Sequence, residues 1–239
     1  MKNSQLAILA LAVIASAFVL GRGFKNFRPQ GTITVKGLAE VPYKASLAQW
    51  SLSVGTWGAN YKEALDHVAQ ESLVLEKFLR ERGFEFSRNP VDVRTNYEEY
   101  IDDKGETRSR PKGYNGFYNY MVISKDLDKV QKAWDEIQQL RAENSHVDFE
   151  RPSYLIDGLE KVKLELITKA TLDAKTRAEE FVKSSDAEVG AMKRASQGSF
   201  SIYAPNNTDD GDDYGGRYDT STIDKVVRLV VTVEYAVNN

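Results

Sequence analysis

The spacing of apolar residues in this chain changes repeatedly between the two-residue period of a strand and the longer period of a helix. Residues 31–57 read GTITVKGLAEVPYKASLAQWSLSVGTW, in which apolar and polar side chains alternate on either side of Pro42. This alternation predicts two strands joined by a short link. From Ala59 to Arg82 the apolar residues recur at helical spacing, and Gly83 is a natural helix stop. We therefore expect one helix to pack on the first two strands.

A tyrosine-rich hairpin is predicted after this helix. Residues 91–98 and 114–124 alternate in polarity and flank the turn-forming sequence Asp102–Gly105. On the second strand Tyr118, Tyr120 and Val122 alternate with Phe117, Met121 and Ile123, so both of its faces are largely apolar or aromatic. Either a helix covers the second face or another subunit does. If a subunit does, the candidate interface residues are Tyr97, Phe117, Tyr118 and Tyr120.

Two further helices complete the predicted pattern. Apolar residues recur at helical spacing in 127–140 and 159–183, with an extended segment at 146–156 between them. Alternation predicts the last two strands at 189–203 and 223–237. The predicted order is β-β-α-β-β-α-β-α-β-β, in which helices interrupt the strands without alternating one for one. This order indicates an α+β fold with a mostly antiparallel sheet and three packed helices.

The N-terminus carries an uncharged, strongly apolar run over residues 3–21, with LAILALAVIASAFVL at its centre. The small residues of Ala15–Ala17 suit cleavage of a signal sequence. The run also approaches the roughly 20 apolar residues that a spanning helix needs. Two interpretations stay open, a cleaved signal sequence or a retained membrane anchor. Both predict an N-terminal hydrophobic helix with a short linker in residues 1–30, and a folded domain in residues 31–239.

Charge and composition argue against several classes of function. The chain has 32 Lys and Arg and 35 Asp and Glu, and the four charged residues of the first 30 are all basic. The remainder is therefore acidic, with 28 basic against 35 acidic residues, and lacks the basic surface that binds nucleic acid. Cysteine is absent, which removes disulfides, thiolate nucleophiles and zinc–thiolate sites.

Candidate catalytic and metal-binding residues are few. No nucleophile-elbow pattern surrounds any serine, and the two histidines, His67 and His146, lie far apart in the chain. Glu63, His67 and Glu71 could share one helix face. Polar residues on one helix face are usually exposed to solvent and bind no metal, so these three residues do not predict a metal site. We expect neither an enzyme nor a bound cofactor.

The acidic stretch 204–220 contains few apolar residues and is predicted to be a mobile loop. Its aspartates crowd around Gly211, which invites comparison with a calcium-binding loop. If Gly211 occupies position six of an EF-hand loop, position twelve is Arg217, where a bidentate glutamate is required. The loop therefore does not match this calcium motif.

Three passages resemble the SIMPL-domain family, whose best-known bacterial relatives are periplasmic immunogenic, outer-membrane-associated proteins. They are ITVKGLAEVPYKASLAQWSLSV, KGYNGFYNYMVISKDLDKVQKAWDEI and ATLDAKTRAEEFVKSSDAEVGAMKRAS, and the closing VVRLVVTVEYAV extends the resemblance to residues 31–237. The resemblance implies an envelope location, ring-like or channel-like homo-oligomers in some relatives, and no agreed catalytic residues. Ser46 stands where the family commonly has an acidic residue, so a role for that carboxylate is not transferred.

Together these patterns predict a non-enzymatic protein of the cell envelope that self-assembles as a scaffold or channel-like oligomer. Its expected location is periplasmic or extracytoplasmic, with a possible tether to the inner membrane through residues 3–21. The alternative is a monomeric periplasmic solute- or peptide-binding protein with one apolar pocket. The sequence does not identify a small-molecule ligand.

Overall fold

A computed structural model describes residues 31–205 and 217–238, together with the single residue Ser16. Within these ranges it contains nine strands and three helices. The strands are β1 (Thr32–Lys44), β2 (Leu47–Gly58), β3 (Phe86–Arg88), β4 (Asp92–Ile101), β5 (Thr107–Ser124), β6 (Val147–Phe149), β7 (Ser153–Leu155), β8 (Glu188–Tyr203) and β9 (Asp224–Asn238). The helices are α1 (Tyr61–Glu81), α2 (Leu127–Glu143) and α3 (Leu159–Val182), and a short 3-10 turn (Lys183–Ser185) follows α3.

The predicted α+β class is confirmed, with three helices and mostly antiparallel sheets. The three-residue strand β3 was not predicted, because periodicity needs at least four residues to be recognised. The predicted extended segment 146–156 is divided into two short strands, β6 and β7, on either side of Pro152. The predicted N-terminal hydrophobic helix lies, apart from Ser16, outside the described residues.

The described residues fall into two compact units. Unit 1 contains 31–39, 167–198 and 229–238, and unit 2 contains 40–166, 199–205 and 217–228. Strands β1, β9 and β8 form a three-stranded sheet in that order. The six-stranded sheet of unit 2 has the order β3-β5-β2-β6, with β4 also paired to β5 and β7 to β2.

The core of unit 2 lies between its sheet and the helices α1 and α2. Strands β2 and β5 pair in antiparallel register with Trp50 opposite Val122, Leu52 opposite Tyr120 and Val54 opposite Tyr118. Directly opposed residues share a face, so this register directs all six side chains to the same side of the sheet. Trp50, Val54 and Val122 are completely buried there, together with apolar side chains of α1 and α2.

Both ends of α1 are fixed by local hydrogen bonds. The Asn60 side chain accepts from the backbone N–H of Glu63 at 3.0 Å, and the Glu63 carboxylate accepts from the N–H of Ala59 at 3.1 Å. This arrangement is a variant of the capping box, in which the Glu63 carboxylate reaches the residue before the N-cap. At the other end Gly83 has a φ of 66°, and the N–H of Phe84 donates to the carbonyl of Leu79. The predicted stop at Gly83 is thus a Schellman motif.

Strand β1 and helix α3 approach closely in unit 1. A Cβ at Gly37 would overlap the carbonyl oxygen of Ala170 and crowd Ala174. Ala170 and Ala174 are fully buried, so small residues on both elements permit this contact. The backbone N–H of Leu38 donates to the carboxylate of Asp173 at 2.8 Å, which joins the helix to the edge strand.

Candidate functional site

The two faces of the unit 2 sheet have different surroundings. The face that carries Tyr120 and Val122 is buried under the helices. The opposite face, which we call the open face, carries Phe117, Met121 and Ile123 on β5. Ile123 is 59% exposed, and Phe117 and Met121 are half-buried. A helix therefore covers one of the two apolar faces of β5, and the described residues leave the other largely accessible.

Tyr120 is only 2% exposed and packs inside its own chain. Its phenol donates to Glu76 at 3.2 Å, and the same carboxylate accepts from Arg80 and Arg88, each at 2.8 Å. Burial raises the pKa of the Tyr120 phenol. A side chain so enclosed offers no surface to another subunit, and the interface prediction has to be corrected for this residue.

Tyr118 and Phe117 occupy opposite faces of β5. Tyr118 is half-buried on the helix side, where the Arg88 guanidinium lies 4.6 Å from its ring centroid. The Phe117 ring lies on the open face across Gly55, and a Cβ at that glycine would be 3.0 Å from the ring. Of these two predicted interface residues, Phe117 thus lies on the open face and Tyr118 against its own chain.

The hairpin of β4 and β5 extends beyond the rest of the sheet. Strand β2 pairs with β5 only as far as Tyr114, whereas β4 and β5 remain paired from Tyr97 opposite Pro111 to Ile101 opposite Thr107. We call residues 97–111 the ribbon. All of its residues except Glu98 and Asp102 are exposed, and it places Tyr97 at 60% exposure and Ile101 at 74% on one face.

The other face of the ribbon is charged. Arg110 pairs with Glu98 at 2.5 Å, Lys112 pairs with the same carboxylate, and Arg108 pairs with Asp102 at 3.0 Å. Hydrogen bonds from Lys112 and Arg110 lower the pKa of Glu98. Exposed ion pairs contribute little stability. The alternating register therefore separates this charged face from a second face, on which exposed Tyr97 and Ile101 flank the pair of Glu99 and Ser109.

Four strands place polar side chains in two rows across the open face, which we call the polar rows. Directly opposed residues define them: Ser87, Met121 and Ser51 with Glu150 in one row, and Asn89, Asn119, Ser53 and Asp148 in the next. They line an open cavity of about 570 Å³. These rows could not be predicted from the sequence, because β3 and β6 are too short to be recognised from periodicity.

Asp219 and Lys225 form a second group that sequence analysis missed. The Asp219 carboxylate accepts from the N–H of Ser221 at 3.0 Å and from its hydroxyl at 2.6 Å, and also from Thr222. The Lys225 ammonium, completely buried, donates to the Asp219 carbonyl at 2.6 Å and to its carboxylate at 3.3 Å. Burial opposes ionisation of Asp219, but these hydrogen bonds and the Lys225 charge outweigh it and hold the Asp219 pKa well below its usual range.

This group lies at the end of the predicted mobile loop. Residues 206–216 of that loop lie outside the described residues. In the described part, Ile202 forms an isolated bridge with Tyr218, and the Tyr218 hydroxyl accepts from the N–H of Ile156 at 3.4 Å. The C-terminal end of the stretch is therefore held to unit 2 by specific hydrogen bonds.

The remaining candidate residues make structural contacts. Nδ1 of His67 lies 3.0 Å from the carbonyl of Trp57, and its Nε2 is 4.0 Å from Glu63. No group of three or more potential metal ligands is found within 31–205 and 217–238. The hydroxyl of Ser46 accepts from the N–H of Asp157 at 2.8 Å, so this position joins β2 to the start of α3.

Comparison with known proteins identifies one family. The model of the SIMPL family, described as a protein of unknown function (DUF541), matches residues 33–235. No curated protein matches the chain. Among the described residues, the helices are too short or too polar to cross a membrane.

Two solved structures from Listeria innocua are weakly similar. One is an uncharacterized conserved protein with 11% identity and a TM-score of 0.22, covering 80% of this chain and 91% of that one. The other is a hydrolase with 10% identity and a TM-score of 0.18, covering 88% of this chain and 97% of that one. Likeness at these scores carries no argument about fold or function.

Proposed function

The chain belongs to the SIMPL family, and on that premise we propose that it is a non-enzymatic protein of the cell envelope that assembles with copies of itself. The assembly is a scaffold or channel-like oligomer. The apolar run at residues 3–21 supports an extracytoplasmic location, either by acting as a signal sequence or by tethering the chain to the inner membrane.

The ribbon is the observation that carries this proposal. A two-stranded hairpin is at best marginally stable in water without a third strand or a packed face. Here the ribbon face that carries Tyr97 and Ile101 is exposed, and within residues 31–205 and 217–238 the outer edge of β4 pairs with no other strand. A second copy would cover that face and form hydrogen bonds with the unpaired N–H and C=O groups of the strand edge. Exposed aromatic residues such as Tyr97 are also the usual energetic anchors of protein interfaces.

Phe117 extends the proposed interface towards the open face. It lies on β5 with Met121 and Ile123, and all three side chains are partly or largely exposed. Tyr120 is not part of the proposed interface, because its side chain is buried. An interface of about 800 Å² per partner is of standard size and holds at micromolar concentration or better.

Sedimentation equilibrium of the full chain in density-matched detergent tests the proposal. We expect an oligomer, and at least tenfold weaker association in the double variant Tyr97→Ser and Ile101→Ser. The matched control is Leu73→Ser with Leu172→Ser, two leucines that are 62% and 66% exposed on α1 and α3. A wild-type monomer at high micromolar concentration would refute self-assembly and favour the solute- or peptide-binding alternative. Equal weakening in the control would refute the role of the ribbon.

A further inference from the structure

Strand β8 has a second open strand edge, at residues 191–198. Among the described residues its one neighbour in the sheet is β9, so the outer backbone groups of this stretch pair with no strand. All eight residues are exposed, although alternate side chains of a strand point to opposite faces. We call residues 191–198 the β8 edge. It is accessible on both faces as well as along its backbone.

The charge of the β8 edge limits which strand can pair with it. Lys193 and Arg194 form no ion pair within residues 31–205 and 217–238. Cations on a strand edge oppose pairing with a neutral or basic strand, because their charge would be left without a partner. The β8 edge therefore favours a strand that carries acidic residues.

The outer strand of the ribbon is acidic. Residues 97–101 read Tyr-Glu-Glu-Tyr-Ile and belong to β4, whose outer edge is open in the described chain. Glu99 is exposed and has no ion-pair partner among the described residues, whereas Glu98 is paired with Arg110 and Lys112. The two open edges thus carry adjacent charges of opposite sign, and in each strand the two charges point to opposite faces.

We propose that the ribbon of one copy pairs with the β8 edge of the next copy, in antiparallel register with Glu99 opposite Lys193. This inference rests on the proposed self-assembly and names the surface that the ribbon meets. The same register places Glu98 opposite Arg194, so both glutamates lie opposite cations. Antiparallel pairing is also slightly more stable per residue than parallel pairing.

The uncharged side chains fit this register as well. On the face of Glu99 and Lys193, Tyr97 lies opposite Ala195, and Ile101 lies opposite Ala191. Each large exposed side chain of the ribbon therefore meets a small one of the β8 edge, which leaves room for close contact. A parallel arrangement that pairs both glutamates with the cations would place neither alanine opposite Tyr97 or Ile101.

Two different surfaces meet in this contact, so it joins the copies head to tail. Such contacts continue from copy to copy and close into a ring where the rotation allows it. Backbone hydrogen bonds, Tyr97 and Ile101 supply the affinity. An exposed ion pair contributes little affinity and mainly fixes the register, so the association keeps a weak salt dependence.

Disulfide crosslinking of full-length chains in detergent tests the pairing, because the sequence contains no cysteine that would add background. Tyr100→Cys and Met192→Cys lie opposite each other in the proposed register, where Cβ atoms are about 4.5–5.5 Å apart. When the two variants are mixed and oxidised, we expect at least fivefold more covalent dimer than from either variant alone. The matched control mixes Tyr100→Cys with Gln197→Cys, which is about 17 Å out of register and should give no such increase.

Charge reversal tests the register without cysteines. At low salt, Lys193→Glu should weaken association at least threefold, because like charges would then lie opposite each other. Adding Glu99→Lys to the same chain should restore association to within twofold of wild type. Lys132→Glu, an exposed residue of α2, is the matched control and should change association less than twofold.

The possible failures separate this pairing from self-assembly itself. As much covalent dimer from Tyr100→Cys alone as from the mixture with Met192→Cys would place ribbon against ribbon, which overturns the pairing and leaves self-assembly intact. Equal crosslinking to Gln197→Cys, or no recovery when Glu99→Lys is added to Lys193→Glu, would overturn the register. A wild-type monomer at high micromolar concentration would refute both the pairing and self-assembly.

Discussion

The phenol of Tyr120 on β5 donates a hydrogen bond to the carboxylate of Glu76 on α1, which is 93% removed from solvent. Arg80 and Arg88 donate to the same carboxylate. One buried carboxylate thus joins the helix to the sheet through three hydrogen bonds.

Replacing Glu76 by alanine should destabilise unit 2 by about 1–3 kcal/mol, because the buried Tyr120 phenol loses its acceptor. Glu76→Gln should cost less, since the amide oxygen still accepts one hydrogen bond. Urea unfolding followed by tryptophan fluorescence measures both. Glu81→Gln, an exposed position on the same helix, should change the free energy of unfolding by less than about 0.5 kcal/mol. Equal effects at the two positions would contradict a special role for Glu76.

Gly37→Ala should destabilise unit 1 by about 2 kcal/mol or more, because the added methyl group overlaps the backbone of α3 at Ala170. The matched control is Gly31→Ala, where the new Cβ would lie 3.8 Å from Val237, an ordinary contact. Thermal unfolding monitored by circular dichroism compares the two variants. A neutral Gly37→Ala would mean that β1 and α3 do not pack as closely as described.

The pH dependence of stability should depend on Asp219. A carboxyl group whose folded-state pKa is depressed stabilises the protein above its ordinary pKa of 3.8 and loses this contribution as the pH falls towards the folded value. Asp219→Asn should therefore be less stable than wild type at neutral pH, by about 1–3 kcal/mol.

The difference in the free energy of unfolding between wild type and Asp219→Asn should stay constant from neutral pH down to about pH 4 and become smaller below that pH. Urea midpoints measured at intervals from pH 7 to pH 3 check this. The control is Asp224→Asn, an exposed carboxylate 3.8 Å from Lys44, which should show a small difference at every pH. If the stability difference between wild type and Asp219→Asn did not become smaller in acid, the lowered pKa of Asp219 would be contradicted.

Self-association through Tyr97 and Ile101 of the ribbon should depend only weakly on salt. The charges of Glu98, Arg108 and Arg110 lie on the opposite face and pair within the chain, so Glu99 is the one charged residue at the paired positions on the face of Tyr97 and Ile101. Raising NaCl from about 0.01 M to about 1 M shortens the Debye length from about 30 Å to about 3 Å. We expect the association constant, measured by sedimentation, to fall less than twofold. A fall of tenfold or more would show that charged groups, and not Tyr97 and Ile101, hold the copies together.

The helices could be predicted closely because their signals are local. Apolar spacing and the turn chemistry at Gly83 placed α1 within two residues of its observed ends. The distribution of the β5 side chains between two faces was also visible in the sequence. Which face meets the helix depends on the register of β5 against β2, with Trp50 opposite Val122, and no local pattern specifies that pairing.

The functional surfaces were predicted less completely. The ribbon and its tyrosines were expected, but Tyr120 proved to be buried because β5 directs it towards Glu76. One available signal was missed, since Lys225 occupies an inward position on β9 in line with Val227 and Leu229. An ionisable residue at such a position requires a partner, which here is Asp219. The polar rows depend on four strands distant in sequence, so only the folded chain brings them together.

The carboxylate of Asp173 has a consequence for how chains of this kind can aggregate. Strand β1 lies at the edge of its three-stranded sheet, and Asp173 occupies the backbone N–H of Leu38 on that strand. An occupied N–H cannot pair with an incoming strand, and a fixed negative charge beside it makes the approach of a foreign backbone less favourable. This hydrogen bond thereby makes the β1 edge of the sheet a poorer template for amyloid-like growth.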